Sequence, residues 1–214
     1  MATEDASTVI HWARAYDVLV GVLTLGRERR FRSGLVDLVQ LRPGQAVLDV
    51  GCGTGSLAMA AKSRVGAAGE VCGVDPSPEM IARARRKASR GRAGIRFENG
   101  SAEALPFADD AFDVVLSTLM LHHLSDDGRA AGVREIGRVL KPGGRFLAVD
   151  IGSGGKVHGH GFMHRIGSHA DFDLDRLIAV IEEAGLTVAS RGPITQRVLG
   201  ISNLRFLVAA APAG

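Results

Sequence analysis

Asp49, Gly51, Gly53, Gly55 and Asp75 are the residues whose types and spacing point to chemistry. The stretch "VLDVGCGTGSLAMA", Val47 to Ala60, sets three glycines in five residues directly after a run of apolar and β-branched side chains. A glycine turn between a strand and a helix lets a ligand approach bare main chain, and the unpaired N–H groups of the helix that begins near Ser56 suit an anion or carboxylate. Some twenty residues further on, "GVDPS" ends a second strand with Asp75, where an adenosine ribose donates two hydroxyl hydrogen bonds. Glycine turn and spaced acid together point to a nucleoside ligand.

The turn departs from the dinucleotide pattern G-x-G-x-x-G/A, because its third glycine comes one residue early. Asp49, just before the turn, repels a pyrophosphate but attracts the ammonium of an amino acid. A ligand with an amino-acid head and an adenosine is S-adenosylmethionine.

The elements that must position these residues are legible in the periodicity. Apolar side chains at Trp12, Tyr16, Leu19, Val20 and Leu23, and again at Phe31, Leu35, Leu38 and Val39, predict two amphipathic helices before the "RPG" break. Strands and helices then alternate: "AVLDV", "SLAMAAKSRV", "EVCGV", "SPEMIARARRKAS" with Ser77 as cap and Pro78 at the first helical position, "IRFENG", "FDVVLS", "DDGRAAGVREIGRVL" and "RFLAVD" after the Lys141–Gly144 stop. A helix is expected from Asp173 to Ala184, and strands near Thr187–Ser190 and Leu204–Ala210. This alternation predicts an α/β fold with a mainly parallel, doubly wound, Rossmann-like sheet. A single domain is expected over 1–214, with an N-terminal helical cap (1–45), a cofactor-binding core (46–150), and an insertion with C-terminal strands (151–214).

Composition narrows the class. The 214 residues are 46% hydrophobic with a formal net charge of +3, enough apolar content for a sizeable core. The N-terminus lacks the pattern of a signal peptide, no stretch approaches a spanning helix, and Cys52 and Cys72 imply no disulfide framework; a cytoplasmic location is expected. The basic runs "RERRFR" (Arg27 to Arg32) and "RARRKASRGR" (Arg83 to Arg92) read as solvated helix faces. They are short and carry almost no aromatic residues for base stacking, which disfavours nucleic acid, while peripheral contact with an anionic membrane remains open.

The series "VLDVGCGTG", "VDPSPEMIARAR", "AEALPFADDAFDVVLS" and "LKPGG", in this order and at these intervals, resembles the class I S-adenosylmethionine-dependent methyltransferases. The group similar to the ubiquinone and menaquinone C-methyltransferases is nearest in character. The resemblance is strong over Ala46 to Asp150 and implies seven strands in the order 3-2-1-4-5-7-6, the last antiparallel. It implies that Asp49, Gly51 and Gly53 hold the methionine portion of the cofactor and that Asp75, followed by Pro76, binds the ribose. Met80 would pack near the adenine, with core filling as its other reading. Ala102 and Glu103 would lie beside the adenine, and Ser117 beneath the cofactor. Ser101 stands where the family often has an Asp that accepts from the adenine amino group, so this contact falls to a hydroxyl. Tyr16, in "ARAYD", resembles the "YD" of the quinone-type enzymes, on a helix folded over the cofactor; a core aromatic is the alternative.

Methyl transfer from a sulfonium is an in-line displacement, so the protein must chiefly align acceptor, methyl and sulfur and exclude water. A base is needed only for an acceptor that must lose a proton. His122, in "STLMLHHLSDD" after the fourth strand, is the candidate base and a cofactor neighbour; His123 is the second candidate, and loop support is the alternative for both. His158, His160, His164 and His169 lie in a glycine-rich insertion without a companion cysteine, so no metal site is expected and the insertion is read as a cover over the acceptor pocket. The absence of "[D/N]PP[Y/F]" after the fourth strand and of a Pro-Cys nucleophile argues against base methylation, and two cysteines are too few for arsenite. A small, apolar acceptor is left, with a cofactor-binding regulatory protein and, last, an RNA methyltransferase as rival functions.

Overall fold

The computed structural model describes residues 28–152, 173–195 and 203–214. The helix expected over His11–Leu23 with Tyr16, and the insertion with its four histidines, lie outside the described residues.

Helix α1 (Glu28–Leu38) precedes strand β1 (Ala46–Val50), helix α2 (Ser56–Val65), β2 (Glu70–Asp75), α3 (Pro78–Arg90), β3 (Arg96–Asn99) and β4 (Phe112–Thr118). A 3-10 turn (Leu121–His123), α4 (Asp126–Val139), β5 (Leu140–Ile151), α5 (Leu174–Glu183), β6 (Thr187–Pro193) and β7 (Leu204–Ala210) follow. The strands form one sheet of seven in the order β3-β2-β1-β4-β5-β7-β6, parallel except for β7, which runs antiparallel to both neighbours. The expected order and the antiparallel final strand are both present.

Alternation along each strand separates two apolar layers. Val47, Val71, Val114, Leu116, Leu147 and Val149 pack under α1, α2 and α3 through Leu35, Val36, Ala58, Ala61, Ile81 and Ala84. Leu48, Val74, Val115, Phe146 and Leu207 pack on the other face against Val133 and Ile136 of α4 and Leu177 and Ile181 of α5. The sheet is covered on both sides, which is why its central strands read as continuous apolar runs. Helix starts follow the sequence signals: the Ser77 hydroxyl accepts the Met80 N–H at 3.3 Å with Pro78 at the first position, and Ser125 accepts the Gly128 N–H at 3.1 Å.

Two boundaries differ from expectation. β5 begins at Leu140 rather than after the glycines, because Leu140 already pairs with Phe112 before the register jumps to Val114↔Arg145. The intervening Lys141–Gly144 segment is pinned by the C-terminus, with Gly143 N–H donating to Pro212 at 2.9 Å and Ala211 N–H to Gly144 at 2.8 Å. β6 runs three residues past Ser190, since Gly192 and Pro193 find partners in Phe206 and Arg205; as an edge strand it tolerates the proline. Among the described residues no helix is long and apolar enough to cross a membrane.

Candidate active site

β1 lies between β2 and β4, where the strand order reverses, and the carboxyl ends of these three strands surround one crevice. The turn leaving β1 bends through three glycines at positive φ, Gly51 at 70°, Gly53 at 52° and Gly55 at 77°. Their surroundings are unlike one another. A methyl on Gly51 would run into Met120 Cγ, and one on Gly55 would lie 2.7 Å from the Phe97 ring, so those two positions are closed by the protein's own side chains. At Gly53 nothing among the described residues lies within 4 Å of that position, and bare main chain is left open.

Met120 reaches Gly51 because Leu119 takes a left-handed conformation, φ 54°, directly after β4. That conformation costs a non-glycine residue about 1–2 kcal/mol. It is held by the Leu119 N–H donating to Val149 at 2.8 Å, and it turns the chain into the 3-10 turn that carries His122.

The two acids differ in what they hold. Asp75 Oδ2 accepts the Gly53 N–H at 2.8 Å and Oδ1 accepts the Ser77 N–H at 2.9 Å, tying the glycine turn to β2. Burial raises the Asp75 pKa, and these two bonds oppose it. Asp49 is 1% exposed. Its Oδ2 accepts the Ala58 N–H at 3.0 Å, while Oδ1 has no hydrogen-bond partner among the described residues. Burial pushes its pKa up to about 7, against the pull of Arg32 and the Ala58 N–H and with a smaller push from Asp75. A buried carboxylate oxygen left unpaired is costly, and a cationic ligand group would satisfy it.

Arg32 was read from the sequence as part of a solvated face; the structure corrects this. α1 swings it over the end of β4, where Nη1 donates to Thr118 Oγ1 at 3.3 Å and its charge acts on Asp49. The available signal was helical spacing, since Arg32 stands one turn before fully buried Val36. In the second basic run Arg85 is also engaged, donating through Nε to the Phe97 carbonyl at 3.1 Å, whereas Arg86, Arg90 and Arg92 are exposed.

The remaining expected residues divide. Met80, 6% exposed, belongs to neither apolar layer, and Pro76 is exposed beside Asp75. Ser101 Oγ donates to Glu103 Oε2 at 2.9 Å and accepts the Glu103 N–H at 3.2 Å, a closed local turn. Ala102 is buried in the α4 layer, next to Gly132. Ser117, near the end of β4, is 1% exposed and its hydroxyl has no partner among the described residues. Its register partner is Val50, on the face opposite Asp49. Cys52 and Cys72 are free and buried, and burial raises the Cys52 thiol far above its ordinary range, next to Asp49 and Asp75.

His122 is 8% exposed, and its Nδ1 lies 2.5 Å from Oδ1 of Asp150, which is 3% exposed on β5. The His122 and His123 ring centroids lie 3.9 Å apart, the planes tilted by 44°. Asp150 was missed by the sequence reading. It ends the "LAVD" run as Asp49 ends "VLD", an acid at the carboxyl end of a buried strand, and that was the available signal.

The fold is a doubly wound, Rossmann-like sheet with a glycine turn and two acids at its switch point. Residues 47–144 match the methyltransferase domain family. A demethylmenaquinone methyltransferase of Thermus thermophilus is 41% identical over 139 residues, 65% of this chain and 62% of that protein. A ubiquinone/menaquinone biosynthesis C-methyltransferase UbiE of Stenotrophomonas maltophilia is 40% identical over 141 residues, 65% of this chain and 55% of that one. The chain thus spans less than two thirds of these relatives. Among solved structures, a SAM-dependent methyltransferase from Aquifex aeolicus shares the fold with a TM-score of 0.73 and 19% identity, over 91% of this chain and 97% of that one.

Proposed function

We propose that this protein binds S-adenosylmethionine in the crevice at the ends of β1, β2 and β4 and transfers its methyl group to a small, apolar, quinol-type acceptor. The unpaired Oδ1 of buried Asp49 carries the reading, since it is an oxygen that calls for a cation at the place where the ligand's ammonium would lie. Gly53 offers main chain without a side chain, and each Asp75 oxygen keeps a lone pair for a ribose hydroxyl beyond the N–H it already accepts. Pro76 and Met80 flank the ribose and adenine side, with Ser101, Ala102 and Glu103 at its edge. Ser117 supplies a hydroxyl beneath the cofactor.

The bound cofactor supplies a methyl group already activated by a positive sulfur. The chain's part is to hold the two reactants in line and keep water out, an arrangement worth about 7–11 kcal/mol in intramolecular analogues. The names of the relatives support the quinol-type acceptor.

The test is direct. Purified protein freed of carried-over ligand is titrated with S-adenosylhomocysteine by calorimetry, then incubated with methyl-labelled S-adenosylmethionine and a short-chain demethylmenaquinol. Binding with label transferred to the quinol is expected. No binding overturns the cofactor reading; binding without transfer to any of a panel of quinols and phenols overturns the acceptor.

A further inference from the structure

Asp150 occupies a position that neither cofactor binding nor sheet formation requires. Its two oxygens hold His122 at two points and the next residue at a third: Oδ1 faces the His122 Nδ1 at 2.5 Å and accepts the Ile151 N–H at 2.8 Å, and Oδ2 accepts the His122 main-chain N–H at 3.2 Å. The pair joins β5 to the 3-10 turn after β4, across 28 positions of sequence. Both residues are buried, at 8% and 3% exposure. A carboxylate held among fully buried neighbours such as Leu121 and Val149 is costly, and a loop tether alone is met by a neutral amide.

An ionised carboxylate only accepts hydrogen bonds. An ionised Asp150 would therefore leave the hydrogen between Nδ1 and Oδ1 on Nδ1 and the lone pair of a neutral ring on Nε2. Among the described residues nothing is hydrogen-bonded to Nε2. Two residues before His122, Met120 lies over Gly51, so the ring is anchored within one turn of the residue that closes the floor of the crevice.

We propose that Asp150 is a positioning residue that locks His122 as the Nδ1–H tautomer, with Nε2 ready to take a proton, and that the acceptor is a compound that gives one up. This rests on the proposed methyl transfer and names its acceptor class: a phenolic or enolic hydroxyl, or a carbon acidified by one, rather than a tertiary amine or thioether. In the step, the acceptor's O–H or C–H bond breaks, its electron pair stays on the acceptor as the nucleophile, and the proton passes to Nε2. The imidazolium so formed has the Asp150 carboxylate at its other nitrogen to balance the charge.

Two readouts test it, the first without any ligand. Nitrogen-15 spectra of histidine-labelled protein report the tautomer of each of the seven imidazoles, and His122→Gln removes one set of signals and so assigns it. The Nδ1–H form is expected in the wild type, shifting to the Nε2–H form or a mixture in Asp150→Asn. An Nε2–H tautomer in the wild type overturns the proposal on its own, even where the variant fails to fold. So does an unchanged tautomer in folded Asp150→Asn.

The second readout is steady-state methylation of a short-chain demethylmenaquinol. His122→Gln and Asp150→Asn are expected to lower kcat about 10²–10⁴-fold, the range of general-base catalysis, with KM for S-adenosylmethionine within about twofold. Unchanged kcat in either variant overturns the proton-accepting role, and a loss confined to KM reduces Asp150 to a structural tether. A wild type that methylates no quinol fails the acceptor reading instead, and the tautomer then decides the role of Asp150.

Discussion

The side chain of Asp75 accepts the main-chain N–H of Gly53 at 2.8 Å, so the acid that ends β2 and the glycine turn that follows β1 are one mechanical unit. Removing the carboxylate takes away the proposed ribose contact and also releases the turn. Asp75→Ala is expected to weaken S-adenosylhomocysteine about 10–100-fold by calorimetry, from the loss of one hydrogen bond to a charged group at about 1.5–3 kcal/mol. Unchanged affinity would overturn the assignment of Asp75.

The glycines of the turn are expected to fail in different ways. Gly51→Ala must displace Met120 and adopt a positive φ, and should destabilise the fold by about 2–4 kcal/mol in urea unfolding. Gly53→Ala meets only the φ cost, about 1–2 kcal/mol, but sets a methyl where the ligand would lie. Cofactor affinity measured alongside should fall more in Gly53→Ala than its stability does. Equal losses of both quantities in the two variants would remove the distinction drawn between closed and open positions.

Asp49 sets a pH dependence whose sign is fixed. Its folded pKa of about 7 lies above its unfolded value, so its contribution favours the ligand-free fold at low pH and is lost as pH rises through about 7. Binding of an ammonium needs the ionised form and should run the other way. Affinity for S-adenosylhomocysteine is expected to tighten between pH 6 and pH 8, and Asp49→Asn should flatten that profile. A profile just as steep in Asp49→Asn assigns the titration to another group.

Arg32 lowers the Asp49 pKa across a gap that no local pattern spans. Arg32→Gln is expected to move the midpoint of the same affinity profile to higher pH while leaving its steepness unchanged. A midpoint that stays in place would show that the guanidinium does not act on Asp49 in solution.

The amino-acid order alone determined where strands and helices lie, because buried parallel strands must be apolar throughout, helices need caps such as Ser77 and Ser125, and a turn with three left-handed residues needs glycine. It also placed Asp49 and Asp75, since each ends a strand whose neighbours announce it. Local pattern carried no information about pairs whose members lie far apart in the chain. Arg32 meets Thr118 across 86 positions, and His122 meets Asp150 across 28. Which glycines are closed by Met120 and Phe97, and that Gly53 alone of the three is left open among the described residues, likewise followed only from folding. The physical reason is that periodicity records which face of an element is buried, whereas the partner on that face is set by strand order and by how adjacent layers settle against each other. Strand order was carried here by resemblance to a known family, and the side-chain partnerships around the crevice were decided by the packed structure.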